Sequence, residues 1–137
     1  MEHGKIKSLE WNKEYLLHNQ LLDDQHKKFV TLINKLSDAI NKDCKHEIHD
    51  VFFEIIYYIE HYMIEKDMNL INCDKSKYVK HRALHSQLLD KVKLCYLHFN
   101  DSQTLECCKE LHTFLRNWFV AYIKMLKRDN FNECWNP

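Results

Sequence analysis

Two histidines stand four residues apart in the run "HRALH" at 81–85, inside a segment that otherwise reads as an ordinary amphipathic helix. Residues i and i+4 of a helix share one face, one turn apart, so both imidazoles can reach a single ion. The same spacing recurs at His61 and Glu65, and His26 interrupts an apolar stripe of its own. Three predicted helices therefore aim four imidazoles and one carboxylate inward: His26, His61, His81, His85 and Glu65. Burying such groups without partners is costly, and a metal ion removes the cost by accepting their lone pairs. Imidazole with carboxylate suits iron, zinc or manganese, and open coordination positions suit non-haem iron. No cysteine falls on the inward pattern near these residues, which speaks against an iron–sulfur cluster.

The elements that must position these side chains follow from what the chain lacks. It has one Gly and one Pro, so tight hairpins are disfavoured and long helices favoured. The runs "NKDCK" (41–45), "NCDKSK" (72–77) and "NDSQ" (100–103) are the loops. They leave an N-terminal arm of about 1–22 and helices over about 23–41, 46–70, 76–99 and 103–128. The first apolar stripe runs His26, Phe29, Ile33, Leu36, Ile40. The second runs Val51, Ile55, Tyr58, His61 with Tyr62, Glu65, Met68. The third runs Tyr78, His81, His85, Leu88, Val92, Cys95, and the fourth Cys108, Leu111, Leu115, Trp118, Tyr122, Met125. Short loops make neighbours antiparallel, so the expected fold is an all-α, up-down-up-down four-helix bundle forming a single domain over 1–137.

Composition narrows the function classes. Lys plus Arg and Asp plus Glu both number 20, which gives no electrostatic reason to expect nucleic acid or an anionic membrane as partner. No apolar run reaches the roughly 18 residues of a membrane span. The opening "MEHGKIKSLEW" has no apolar core and does not read as a secretory signal. The six cysteines are therefore expected to be reduced cytosolic thiols in a cytoplasmic protein. Cys107 and Cys108, adjacent on a helix, are expected to be poorly placed to share a metal. The remaining histidines, including His49 and His112, read as surface or incidental. No nucleophile–base pair and no phosphate-cradling glycine loop is evident, so hydrolase and kinase chemistry is not expected.

The site residues resemble those of the hemerythrin family, the non-haem di-iron oxygen-binding bundles, over roughly residues 11–127. Trp11 and "LLDDQHKKF" (21–29) resemble that family's arm and first helix; "YIEHYMIEKDM" (58–68) resembles its H-x-x-x-E block. "HRALH" resembles its H-x-x-x-H block, and "FLRNWFVAYIKMLKRD" (114–129) its closing block. The resemblance implies one iron held by His26, His61 and Glu65, and a second by His81, His85 and the shared Glu65. It also implies a third histidine and a bridging aspartate on the last helix, where this chain carries Tyr122 and Lys127. Asp129 does not restore the pattern, because two further helical residues turn a side chain by about 200°.

Three arrangements are compatible with that departure. Two irons bind, with Tyr122 as a phenolate ligand. One iron binds, at His26, His61 and Glu65, with Lys127 pairing with Glu65 or reaching out to water. Or the bundle holds a structural zinc, or no metal, and Tyr122 hydrogen-bonds to His81 or His85. The expected metal site is His26, His61, Glu65, His81, His85 and Tyr122, holding iron, two ions or one, with zinc as alternative. The expected function is reversible binding of dioxygen without chemical transformation, for storage, delivery or sensing. The alternatives are an oxidoreductase acting on peroxide, nitric oxide or ferrous iron, and a metal-stiffened interaction module. Phe29, Tyr58, Tyr62, Trp118 and Phe119 are expected to wall the site.

Overall fold

The computed structural model describes residues 5–64 and 67–129. A 3-10 turn at Lys13–Tyr15 precedes α1 (Gln20–Asn41) and α2 (Lys45–Tyr58), which runs on into a π-helical turn, Ile59–Ile64. A 3-10 turn at Met68–Leu70 leads to α3 (Lys75–Ser102), and α4 (Glu106–Arg128) closes the described chain. Each helix packs on its neighbours in sequence, and α1 meets α4, so the four close into an up-down-up-down bundle.

Local chemistry explains the boundaries. Asn19 caps α1 by accepting from the Leu22 N–H, while Asp74 caps α3 by accepting from Ser76 and Lys77. Asp23, in the first turn of α1, accepts from the Leu17 N–H through Oδ1 at 2.8 Å and holds the end of the arm. The α1–α2 and α3–α4 connections are short, and each uses a left-handed residue, Asp43 at φ 52° and Gln103 at φ 58°. Asp is among the side chains that enter that region most readily.

The apolar stripes of α1, α3 and α4 point inward as their period requires. Phe29, Ile33, Leu36 and Ile40, then Leu88, Val92 and Cys95, then Cys108, Leu111 and Leu115 are all buried. The second stripe departs from the expected one at its C-terminal end. Its buried positions run Ile55, Ile59, Met63 and Asp67, at constant spacing of four. In a regular α-helix each such step drifts by about 40°. The wider π turn absorbs that drift. His61, two residues past inward-facing Ile59, lies on the outer face, and Tyr62 and Met68 are exposed with it.

The arm is strapped to α1 by two asparagines two turns apart. Asn34 accepts from the Leu9 N–H at 2.7 Å and donates to the Leu9 carbonyl at 2.9 Å. Asn41 does the same for Ile6, at 2.8 and 2.9 Å. Leu9 and Leu17 are thereby buried, and Trp11 and Tyr15 are brought edge-on to one another beside Phe119.

One expectation about cysteine needs correction. Cys73 is disulfide-bonded, so the thiols are not all reduced. Cys44, Cys95, Cys107 and Cys108 are free, and Cys134 lies outside the described residues. A disulfide depends on two Cβ atoms meeting in space, which spacing along the chain does not report.

Replacing Asn34 with Ala removes both hydrogen bonds to Leu9. At roughly 1 kcal/mol each, urea unfolding should show a loss of about 2 kcal/mol, with fluorescence from the Trp11 region shifting first.

Candidate metal centre

Four side chains meet in the bundle interior at the level where the π turn ends. His81 and His85 reach it from α3, Asp67 from the segment after the π turn, and Tyr122 from α4. All four are buried. One donor atom from each of Asp67, His81 and His85 lies within 4.8 Å of the other two. His85 is the hub. Its Nδ1 is 2.7 Å from Asp67 Oδ2, and its Nε2 is 2.9 Å from the Tyr122 hydroxyl.

The rings around this hub form its walls. Trp118 stacks on Tyr122 with centroids 4.6 Å apart, and His85 meets Tyr122 edge-on at 5.3 Å. His26 lies on the far side of Tyr122, 6.0 Å away and edge-on, with Phe119 at 6.2 Å. Phe29 stacks on Tyr58 at 5.4 Å, and the Tyr58 hydroxyl donates to the Gln25 carbonyl at 2.5 Å. Phe29, Tyr58, Trp118 and Phe119 thus line the interior as expected. Tyr62 does not; it is exposed and leans on the outer side of Tyr58.

Electrostatics favour the neutral imidazole, which is the form that ligates. Burial, then the neighbouring His85, pushes the pKa of His81 down from 6.5 to about 4. Burial, with the charge of Asp67 next, holds the Tyr122 phenol well above its usual value of 10.0, so without a cation beside it the hydroxyl keeps its proton. The buried Asp67 carboxylate needs a compensating partner, and His85 Nδ1 at 2.7 Å supplies one.

The donor set fits a metal of iron's type. Two imidazoles and one carboxylate make the facial set that leaves positions open on Fe(II), and zinc accepts the same atoms. Asp67 Oδ2 and His85 Nδ1, 2.7 Å apart, stand close enough to be neighbouring ligands on one ion at bonds of about 2.1 Å. Tyr122 meets the other ring nitrogen, Nε2, at 2.9 Å and holds the imidazole from its opposite edge.

The structure therefore brings together His81, His85 and Tyr122, with His26 edge-on to Tyr122. His61 is placed apart from them, on the outer face, its ring 4.2 Å from Tyr57. Glu65 lies outside the described residues. Asp67 is the residue that the sequence pattern missed. A 3.6-residue period puts it out of phase with Tyr58 and His61; only an irregular turn could have flagged it. Lys127 does not replace a metal's charge in the core, since its ammonium donates to the Glu14 carbonyl at the surface. Asp129 pairs instead with Lys80 at 2.9 Å, tying the start of α3 to the end of α4. His112 is buried rather than superficial, and its pKa is lowered by burial and by Arg116.

Comparison with known proteins agrees with this geometry. The family model for the hemerythrin HHE cation binding domain matches residues 17–131. A curated bacteriohemerythrin of Clostridium acetobutylicum is 23% identical over 117 residues, covering 82% of this chain and 91% of that protein. No solved structure matches significantly.

The depressed pKa of His81 has a consequence for stability. Above pH 6.5 the residue is neutral in both folded and unfolded chains and adds no pH dependence. Between 6.5 and about 4 the unfolded chain takes up a proton that the folded one lacks, so stability falls as pH falls. Chelator-treated protein should lose up to about 1.4 kcal/mol per pH unit from this residue in that window, with His112 adding in the same direction. His81→Leu should flatten the profile of denaturation midpoint against pH.

Proposed function

The chain belongs to the hemerythrin HHE cation-binding family, and from that premise we propose that Asp67, His81 and His85 hold one non-haem iron at which dioxygen binds reversibly. The role is storage, delivery or sensing, without chemical transformation of the gas. The observation that supports it most directly is the convergence of one carboxylate and two imidazoles, all buried, to within 4.8 Å. At this level of the bundle the described donors make one three-ligand cluster, so the reading is for one ion there; a second would need His26 together with donors outside the described residues.

When bound, iron in this site supplies open coordination positions and a reversible electron for dioxygen. The protein's own groups do the rest. Asp67 supplies the carboxylate that balances the cation's charge, and Tyr122 orients His85 through Nε2. His81 stays neutral at physiological pH and keeps its lone pairs for ligation. Phe29, Trp118 and Phe119 exclude water, which would otherwise bring protons to bound gas. We read Tyr122 as standing where the family carries its last histidine. Its hydroxyl can remain a hydrogen-bond donor to His85 or become a phenolate ligand once a cation lowers its pKa.

One observation favours a second reading. Both ring nitrogens of His85 are already engaged, by Asp67 and by Tyr122. A chain Tyr122–His85–Asp67 of this kind can satisfy the core by itself, leaving a bundle that serves as an interaction module without oxygen chemistry.

Iron per chain, with visible spectra of the reduced protein before and after oxygen, separates the two. The proposal expects one iron and an oxygen-dependent band that fades when oxygen is removed. Asp67→Asn should weaken iron retention by at least about tenfold. Tyr122→Phe should keep the iron, and loss of a broad visible band in that variant would identify the phenolate. No iron and no spectral response after reconstitution would sink the oxygen-binding reading and leave the self-satisfied core.

A further inference from the structure

A second cluster of metal-ligating side chains lies along the same helix pair, well away from the first. Cys95 of α3 sits about 15 Å beyond His85 along the helix axis. It faces Cys107 and Cys108 in the first turn of α4, and the three Sγ atoms lie within 4.8 Å of one another. Cys107 and Cys108, expected to be poorly placed to share a metal from one helix, come together with Cys95 of the facing helix. Adjacent helical residues point about 100° apart, and a third thiol from the facing helix can lie between two such directions.

The thiols hold one another through the backbone. Cys95 Sγ–H donates to the Cys107 carbonyl at 3.1 Å, and Cys107 Sγ–H to the Cys95 carbonyl at 3.7 Å. Cys95 and Cys108 are buried and Cys107 is half-buried. A surface cleft of about 190 Å³, lined by Lys91, Leu94, Cys95, Cys107, Glu110 and Leu111, opens onto the cluster.

We propose that Cys95, Cys107 and Cys108 form a three-thiolate site for a soft monovalent ion, copper(I), reached through this cleft. Three sulfur ligands around one ion at about 2.3 Å stand about 4 Å from each other, so the cluster needs to contract by less than about 1 Å. Soft thiolates select copper(I), whereas zinc takes four ligands. Among the described residues no fourth His, Cys, Asp or Glu atom joins this group. Each Sγ–metal bond forms as the thiol releases its proton to solvent; no electron is transferred. Three thiolates and one copper(I) carry two net negative charges. Lys91 in the cleft and the first-turn N–H groups of α4, which lack a side-chain cap, offset them. A redox pair fits less well. The Cys107 thiol is pushed up to about 11, chiefly by burial, and such thiols attack slowly.

The test is an anaerobic titration of the reduced full-length protein with copper(I) against the chromogenic chelator bicinchoninate. One copper(I) per chain should leave the chelator, and X-ray absorption should show three sulfur neighbours at about 2.3 Å. Cys107→Ser, at the half-buried position least disruptive to packing, should weaken binding by at least about tenfold. Cys44→Ser, at a thiol outside the cluster, should bind as the parent does. Copper(I) held only by nitrogen and oxygen neighbours would move the ion to the histidine cluster and overturn the proposal. So would full retention in both Cys107→Ser and Cys95→Ser. A reduced protein that takes no copper(I), yet forms a Cys95–Cys107 disulfide in air, would make the cluster a thiol pair and not a metal site. None of these outcomes depends on iron at Asp67, His81 and His85.

Discussion

A carboxylate and two imidazoles sit in an aromatic interior, and the cost of keeping them there governs the arrangement around them. Asp67 and His85 are buried among Phe29, Trp118 and Phe119, so their polar atoms need a partner in the interior. The chain Asp67–His85–Tyr122 meets that demand with two short contacts, 2.7 and 2.9 Å. It also explains why Tyr122 is tolerated at the heart of the bundle: a phenol can donate to an imidazole nitrogen, which an aliphatic side chain cannot. The same groups are the natural ligands of a cation, so one arrangement serves both as a satisfied polar core and as a site prepared for metal.

Holding those atoms in register falls on elements some distance away. The π turn after α2 delivers Asp67 to the interior by changing the phase of the helix just before it. The arm, strapped along α1 by Asn34 and Asn41, lays Trp11 and Tyr15 against Phe119 and so covers that side of the pocket. Lys127 contributes from outside, fastening the end of α4 to the arm at Glu14. The Lys80–Asp129 pair fastens the same end to the start of α3. Exposed ion pairs are worth little singly, but these contacts lie at the ends of the helices that carry His81 and Tyr122.

The bundle carries its two chemically distinct clusters at different heights on α3 and α4. Oxygen and nitrogen donors gather where α3 and α4 meet the segment that follows the π turn. Sulfur donors gather where α3 passes the start of α4. The separation has a simple origin: His81 and His85 lie near the start of α3 and Cys95 nearer its end, and all three fall on the same inward stripe. A long amphipathic helix can present different ligand types to different levels of one core without any change of fold.

The sequence by itself determined the helices, their order and much of what they bury. Scarcity of Gly and Pro, short polar loops and a 3.6-residue stripe are local properties, and helices are made by local contacts. His81 and His85 were legible for the same reason, because i, i+4 spacing guarantees a shared face on any regular helix. Which acid would meet them was not legible. His61 and Glu65 keep the spacing of an inward pair, yet the stripe runs through Ile59 and leaves His61 outside, while a π turn brings Asp67 in, and the pattern of residues contains no mark of that change of phase. The Cys95–Cys107–Cys108 cluster, the disulfide at Cys73 and the outward path of Lys127 depend on contacts between segments far apart in the chain. Only packing α3 against α4, and the arm against both α1 and α4, could decide them, since side chains on different helices have no relative position until those helices are docked.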